Sequence, residues 1–99
     1  MRVVIRKYSG KGAKELWDAI EKNPADLAEI ETIMRSVKGF VSYTVASTDG
    51  GGISVTTCQD QAGIDESVKK AKDFIAKHAA NTGLTAPEVS TGKVILHLK

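Results

Sequence analysis

The apolar positions of this chain change period several times, and each change marks an element. From Arg2 to Tyr8 the residues are β-branched and alternating, which predicts a first strand ending at Ser9-Gly10-Lys11-Gly12. Val3 and Ile5 fall on one side, Val4 and Tyr8 on the other, so both faces of this strand carry apolar surface. From Ala13 to Val37 the spacing becomes helical, in two stripes. Ala13, Leu16, Trp17 and Ile20 form the first; Leu27, Ile30, Ile33, Met34 and Val37 form the second. Asn23-Pro24 separates them. Proline inside a helix costs about 3 kcal/mol, so a new start is expected there, capped by Asn23 with Pro24 at the first position. Gly39 supplies a left-handed stop.

Two strand-like runs follow, Phe40 to Ser47 and Ile53 to Gln59, around Thr48-Asp49-Gly50-Gly51-Gly52. The hairpin is expected to turn at Asp49 to Gly52. A phosphate-cradling loop is the rival reading of these glycines. It requires a helix directly after them, and Ile53-Ser54-Val55-Thr56-Thr57 is a strand. From Asp60 to Thr82 the period is again helical, through Ile64, Val68, Ala71, Ile75 and Ala79, with Phe74 beside them. Asp60 is an N-cap and Gly83 a stop. Asp65–Lys69, Glu66–Lys70 and Asp73–Lys77 are spaced for i,i+4 pairs on the wet face. Leu84 to Glu88 reads as a loop. Val89 to Leu98 reads as a last strand, with Gly92 at a bulge or kink.

The order βαββαβ predicts an α+β fold over residues 1–99, one ferredoxin-like sandwich. Its four-stranded antiparallel sheet carries helices on one face. The other face should be polar in a monomer. Here Val3 and Ile5 oppose Val4 and Tyr8, and Val94, Leu96 and Leu98 oppose Ile95 and His97. An apolar open face predicts a homodimer packed sheet to sheet.

Composition narrows the classes. The 99 residues are 41% hydrophobic with a net charge of +2, the acids and bases interspersed. No basic stripe speaks for nucleic acid. The single cysteine, Cys58, excludes an intrachain disulfide, and no Cys/His cluster has metal-ligand spacing. No signal-like or membrane-spanning apolar run is present, so a cytoplasmic setting is expected.

Candidate chemistry is sparse. Trp17 reads as a core aromatic or as a stacking wall for a planar ligand. Tyr43 packs, or donates a hydrogen bond to a bound carbonyl. Ser54, Thr56 and Cys58 share one face of the third strand, turned to a cleft or to a dimer partner. Ser67 sits near the core side of its helix, where a serine bonds back to the preceding turn. His78 suits a helix end by its dipole, and His97 suits a surface or interface. No acid stands beside either histidine in the sequence, so no triad is claimed. A nucleophilic Cys58 would draw on the helix that starts nearby, against the charge of Asp60.

Val37-Lys38-Gly39-Phe40-Val41-Ser42-Tyr43 resembles the P-G-F-x-x-Y lead-in to the second strand of the dimeric α/β-barrel superfamily, in particular its antibiotic-biosynthesis-monooxygenase-like domains. Ser54-Val55-Thr56-Thr57-Cys58-Gln59-Asp60, running into a helix with Ser67 and Ala71, is similar to that family's third strand and acidic helix start. The resemblance implies a cleft between sheet and helices holding a flat aromatic or quinone-like substrate. It implies oxygenation with no metal, flavin or other cofactor. Many such domains carry a tryptophan and a histidine where this chain has Cys58 and Ser67, so the likeness is to the branch without known activity. Two functions follow as expectations: a cofactor-independent monooxygenase, or a ligand-binding or dimerisation module without catalysis.

Overall fold

The computed structural model describes residues 1–79 and 83–99. Its elements run β1 (Arg2–Ser9), α1 (Ala13–Glu21), α2 (Pro24–Arg35), β2 (Phe40–Thr48), β3 (Gly51–Cys58), α3 (Gln61–Ala79) and β4 (Glu88–Lys93). The sheet is antiparallel in the order β2-β3-β1-β4, the ferredoxin-like arrangement. α3 is described to Ala79; the rest of the predicted helix, 80–82, lies outside the described residues.

The predicted helix boundaries rest on their caps. Asn23 Oδ1 accepts the amide of Ala25 at 3.0 Å, with Pro24 opening α2. Asp60 Oδ1 accepts the amide of Gly63 at 2.9 Å. Gly39, at φ 78°, ends the turn after α2 in the left-handed region. Helices cover one face of the sheet. Val4, Arg6 and Tyr8 of β1 point into it and are buried, while Ile5 and Lys7 point away.

Four expectations need correction. The hairpin loop is only Asp49-Gly50, because Thr48 pairs with Gly51 and Ser47 with Gly52. Gly51 and Gly52 are therefore strand residues, bare because Tyr8, Ala13 and Trp17 press against them. The last strand ends at Lys93, not Leu98. Arg2–Lys93 is its final pair and Met1 takes the amide of Val94, so β1 offers nothing further to pair with. Gly92 makes no bulge and pairs in register with Val3; the irregularity falls between Phe40 and Ser42 instead. Finally, Lys77 pairs with Glu29 of α2 at 3.0 Å, while Glu66–Lys70 forms as expected at 2.9 Å.

The core divides in two. Tyr8, Leu16, Trp17, Ile30, Met34 and Phe74 belong to the larger cluster, to which α1, α2 and α3 all contribute. Val4, Val37, Cys58 and Ile64 form the smaller, where α3 leaves β3. Gly63 allows that approach: a side chain there would meet the carbonyl of Lys38 and the Cβ of Cys58.

Candidate functional site

Strand alternation decides which way the third strand faces. Ser54, Thr56 and Cys58 all point under the helices, at 3%, 0% and 0% exposure. Register then aligns Arg6 with Ser54 and Val45, and Val4 with Thr56 and Tyr43. Of these, Ser54 joins Trp17 and Tyr43 around an internal cavity also walled by Arg6, Tyr8 and Phe74. The cavity is small, about 20 Å³. Tyr8 and Trp17 stack across one side, ring centroids 4.7 Å apart and tilted by 38°.

Arg6 is the residue that sequence reasoning missed. It is 2% exposed, and its Nε donates to Ser54 Oγ at 3.1 Å. Its Nη1 has no partner, and among the described residues no carboxylate pairs with it. Burying a charge without a counter-ion is costly, so the fold is holding this one for a reason or offsetting it elsewhere. Trp17 Nε1 and Thr56 Oγ1 are likewise buried and unpartnered. The signal was available: period two puts Arg6 between Val4 and Tyr8 on one face.

The groups around Arg6 are held away from bulk solvent. Burial raises the pKa of Tyr43, and the Arg6 charge, with side-chain hydrogen bonds to Arg6 and Ser54, opposes that only in part. Tyr8 is raised by burial in the same way, again against Arg6. Both phenols therefore stay protonated at neutral pH.

A larger groove lies outside. It runs between α2 and β2 with a volume of about 500 Å³, along Leu27, Met34, Phe40 and Tyr43. Ile30, Tyr43 and Val45 wall both this groove and the internal cavity, so they form the partition between the two. Glu31 and Arg35 pair at its rim at 2.9 Å.

Cys58 and Ser67 lie apart from this cavity, in and beside the smaller core cluster. Ser67 Oγ donates to the carbonyl of Ile64 at 2.7 Å, the backbonding expected of a buried helix serine. Burial, then the charges of Asp60 and Glu66, push the Cys58 thiol up, so it is a poor nucleophile. Thr56 does not line the cavity.

His78 corrects an expectation. Two acids do stand beside it, both from α2: Glu29 at 3.2 Å from Nε2 and Asp26 at 3.7 Å from Nδ1. The sequence of α3 alone could not reveal partners on another helix. One ligand atom from each of Asp26, Glu29 and His78 lies within 4.8 Å of the others, a geometry that could hold a metal ion, although Lys77 already engages Glu29.

No protein-family model matches the chain, and no curated protein matches it. Solved structures do match over nearly its whole length. Rv0793 from Mycobacterium tuberculosis superposes with a TM-score of 0.68 at 17% identity, covering 99% of this chain and 98% of that one. SnoaB, a cofactor-independent oxygenase from Streptomyces nogalater, gives 0.64 at 14%, covering 98% and 95%. The ActVA-Orf6 monooxygenase of Streptomyces coelicolor, solved with nanaomycin D, gives 0.63 at 9%, covering 99% and 89%. Another match is described as an antibiotic biosynthesis monooxygenase. The chain thus has the ferredoxin-like fold of the antibiotic-biosynthesis-monooxygenase-like proteins. No helix among the described residues is long and apolar enough to cross a membrane.

Proposed function

We propose that this chain is a homodimeric small-molecule oxygenase that binds a planar aromatic or quinone-like compound along the α2–β2 groove and oxidises it with molecular oxygen, without metal or flavin. The observation that carries this reading is the aromatic-edged groove of about 500 Å³, meeting at Tyr43 a buried cavity walled by Tyr8, Trp17 and Phe74. Its volume falls within the range of small-molecule sites. The likeness to SnoaB, a cofactor-independent oxygenase, adds the reaction class.

A phenol can supply its own electrons to oxygen. One new C–O bond forms at a ring carbon, the ring C–H and the phenolic O–H are lost, and a quinone results. The two hydrogens leave with the second oxygen atom as water, so oxygen is the only oxidant needed. The apolar walls contribute by keeping bulk water from the ring and from reactive intermediates.

Trp17 is the sole tryptophan, so its fluorescence reports on this site. A panel of hydroquinones and polycyclic phenols is expected to quench it and to support oxygen uptake matched by quinone formation, unchanged by a chelator. Quenching without oxygen uptake would instead favour a binding module.

A further inference from the structure

Three metal-ligand side chains of different kinds meet where α2 packs on α3, and none of them lines the aromatic groove or the inner cavity. Helical spacing brings two together, because Asp26 and Glu29 are three residues apart on one face of α2. α3 supplies the third. His78 lies 3.2 Å from Glu29 through Nε2 and 3.7 Å from Asp26 through Nδ1. Phe74 packs against the imidazole, ring centroids 4.4 Å apart, and fixes its position. The side chains of Asp26, His78 and Glu29 are 18%, 19% and 31% exposed, so they are partly withdrawn from water. We propose that Asp26, Glu29 and His78 bind a divalent transition ion of the zinc class, with water completing its shell, and that this ion ties α2 to α3. The site stands apart from the aromatic groove and does not depend on what that groove binds.

Ligand type selects the ion. An imidazole nitrogen beside two carboxylates suits zinc and its neighbours, whereas magnesium and calcium take about six or more oxygens. The 3.2 Å between His78 Nε2 and Glu29 Oε1 is already that of neighbouring ligands on a zinc ion, whose bonds are about 2.0–2.2 Å long. One ligand atom from each of the three residues lies within 4.8 Å of the others, and rotation of the Asp26 side chain closes the rest. An outer groove of about 290 Å³, walled by Glu29, Asp73, Phe74 and Lys77, gives the ion its way in. Lys77 is the incumbent cation. It holds Glu29 Oε2 at 3.0 Å and leaves Oε1 to His78. Asp73, one turn back on α3 and in the same groove, is its alternative partner. The incoming ion displaces Lys77 to Asp73, and two carboxylate charges then meet one divalent cation.

The test is calorimetric titration of the chelator-treated full chain with zinc chloride, and with magnesium chloride for comparison. One zinc ion per chain is expected, with a raised Tm and no binding of magnesium. Loss of even an outer partner of a metal ligand costs about tenfold or more in affinity. His78→Gln and Asp26→Asn should therefore each weaken zinc binding at least tenfold, while His97→Gln, which replaces the only other histidine, binds as the wild type does. Lys77→Met should bind zinc more tightly, a change opposite in sign to the loss of a ligand, and it carries the test if a ligand variant fails to fold. Zinc binding that survives His78→Gln but not His97→Gln would place the ion elsewhere and overturn the proposal. So would magnesium binding as tight as zinc binding, a Tm unmoved by zinc, or weaker zinc binding by Lys77→Met.

Discussion

The indole of Trp17 lies against the backbone of Gly52, in the space where any other residue would carry its Cβ. This contact seats the ring beside Tyr8 and over the cavity that Arg6 walls. Gly52→Ala would put a methyl group into the indole. Overpacking of this kind typically costs about 1–3 kcal/mol. The expected outcome is a lower urea midpoint together with a red-shifted, more quenchable Trp17 emission. An unchanged emission maximum would contradict the packing described.

Cys58 offers a second check on the division of the core. Its side chain is fully buried, and burial with two neighbouring acids keeps it protonated. Thiol reagent is therefore expected to react with it slowly in the native protein at pH 8 and rapidly in urea. Cys58→Ala should leave ligand quenching of Trp17 intact, because the thiol lies outside the cavity. It should lower stability by about 1 kcal/mol, in keeping with the loss of a small buried group. Fast native labelling would refute the burial.

The α2–α3 contact gives a pH dependence with a definite sign. The hydrogen bond from Lys77, then that from His78, holds the Glu29 carboxyl below the usual carboxylate range. The unfolded chain then binds more protons at mildly acid pH than the folded one does. The stabilisation is present above the ordinary glutamate value and disappears as pH falls through the lowered folded value. The Tm difference between the wild type and Glu29→Gln should thus be measurable at pH 7 and vanish at strongly acid pH. The effect should be small, since the pair is solvent-exposed, and should shrink with added salt. A difference that grows on acidification would reverse the assigned sign.

Much of this fold was readable because local signals agreed. Alternation in Arg2 to Tyr8, the Asn23-Pro24 restart and the Asp60 cap each demand one geometry, and the order of elements then fixes the sheet. The site was less readable, for reasons of distance. Arg6 is a charged residue, and charge alone argues for solvent; only its place between Val4 and Tyr8 argues for burial. Trp17, Tyr43 and Ser54 come together through α1, β2 and β3, which no spacing along the chain encodes. Period two places Cys58 on the same face as Ser54, and the family likeness pairs it with Ser67, yet a face is not a position along it. The end of β4 depended on where β1 begins, since a strand stops when its partner does.

The remaining prediction concerns the face that the helices leave open. Ile5 is 37% exposed there, and beyond β4 the chain carries Ile95, Leu96 and Leu98 at 94%, 75% and 82% exposure. A protein of this size does not gain from presenting such surface to water. In the proposed homodimer the open face of one copy meets that of its partner across a two-fold axis. Each substitution then counts twice, and each apolar side chain removed from water contributes about 1.5–3 kcal/mol when fully buried. Sedimentation equilibrium at micromolar concentration should return twice the chain mass. Ile5→Asp should shift it to the monomer, with Leu96→Lys and Leu98→Lys together weakening association if the terminal segment lies in the interface. A wild-type protein of single-chain mass under those conditions would sink the dimer.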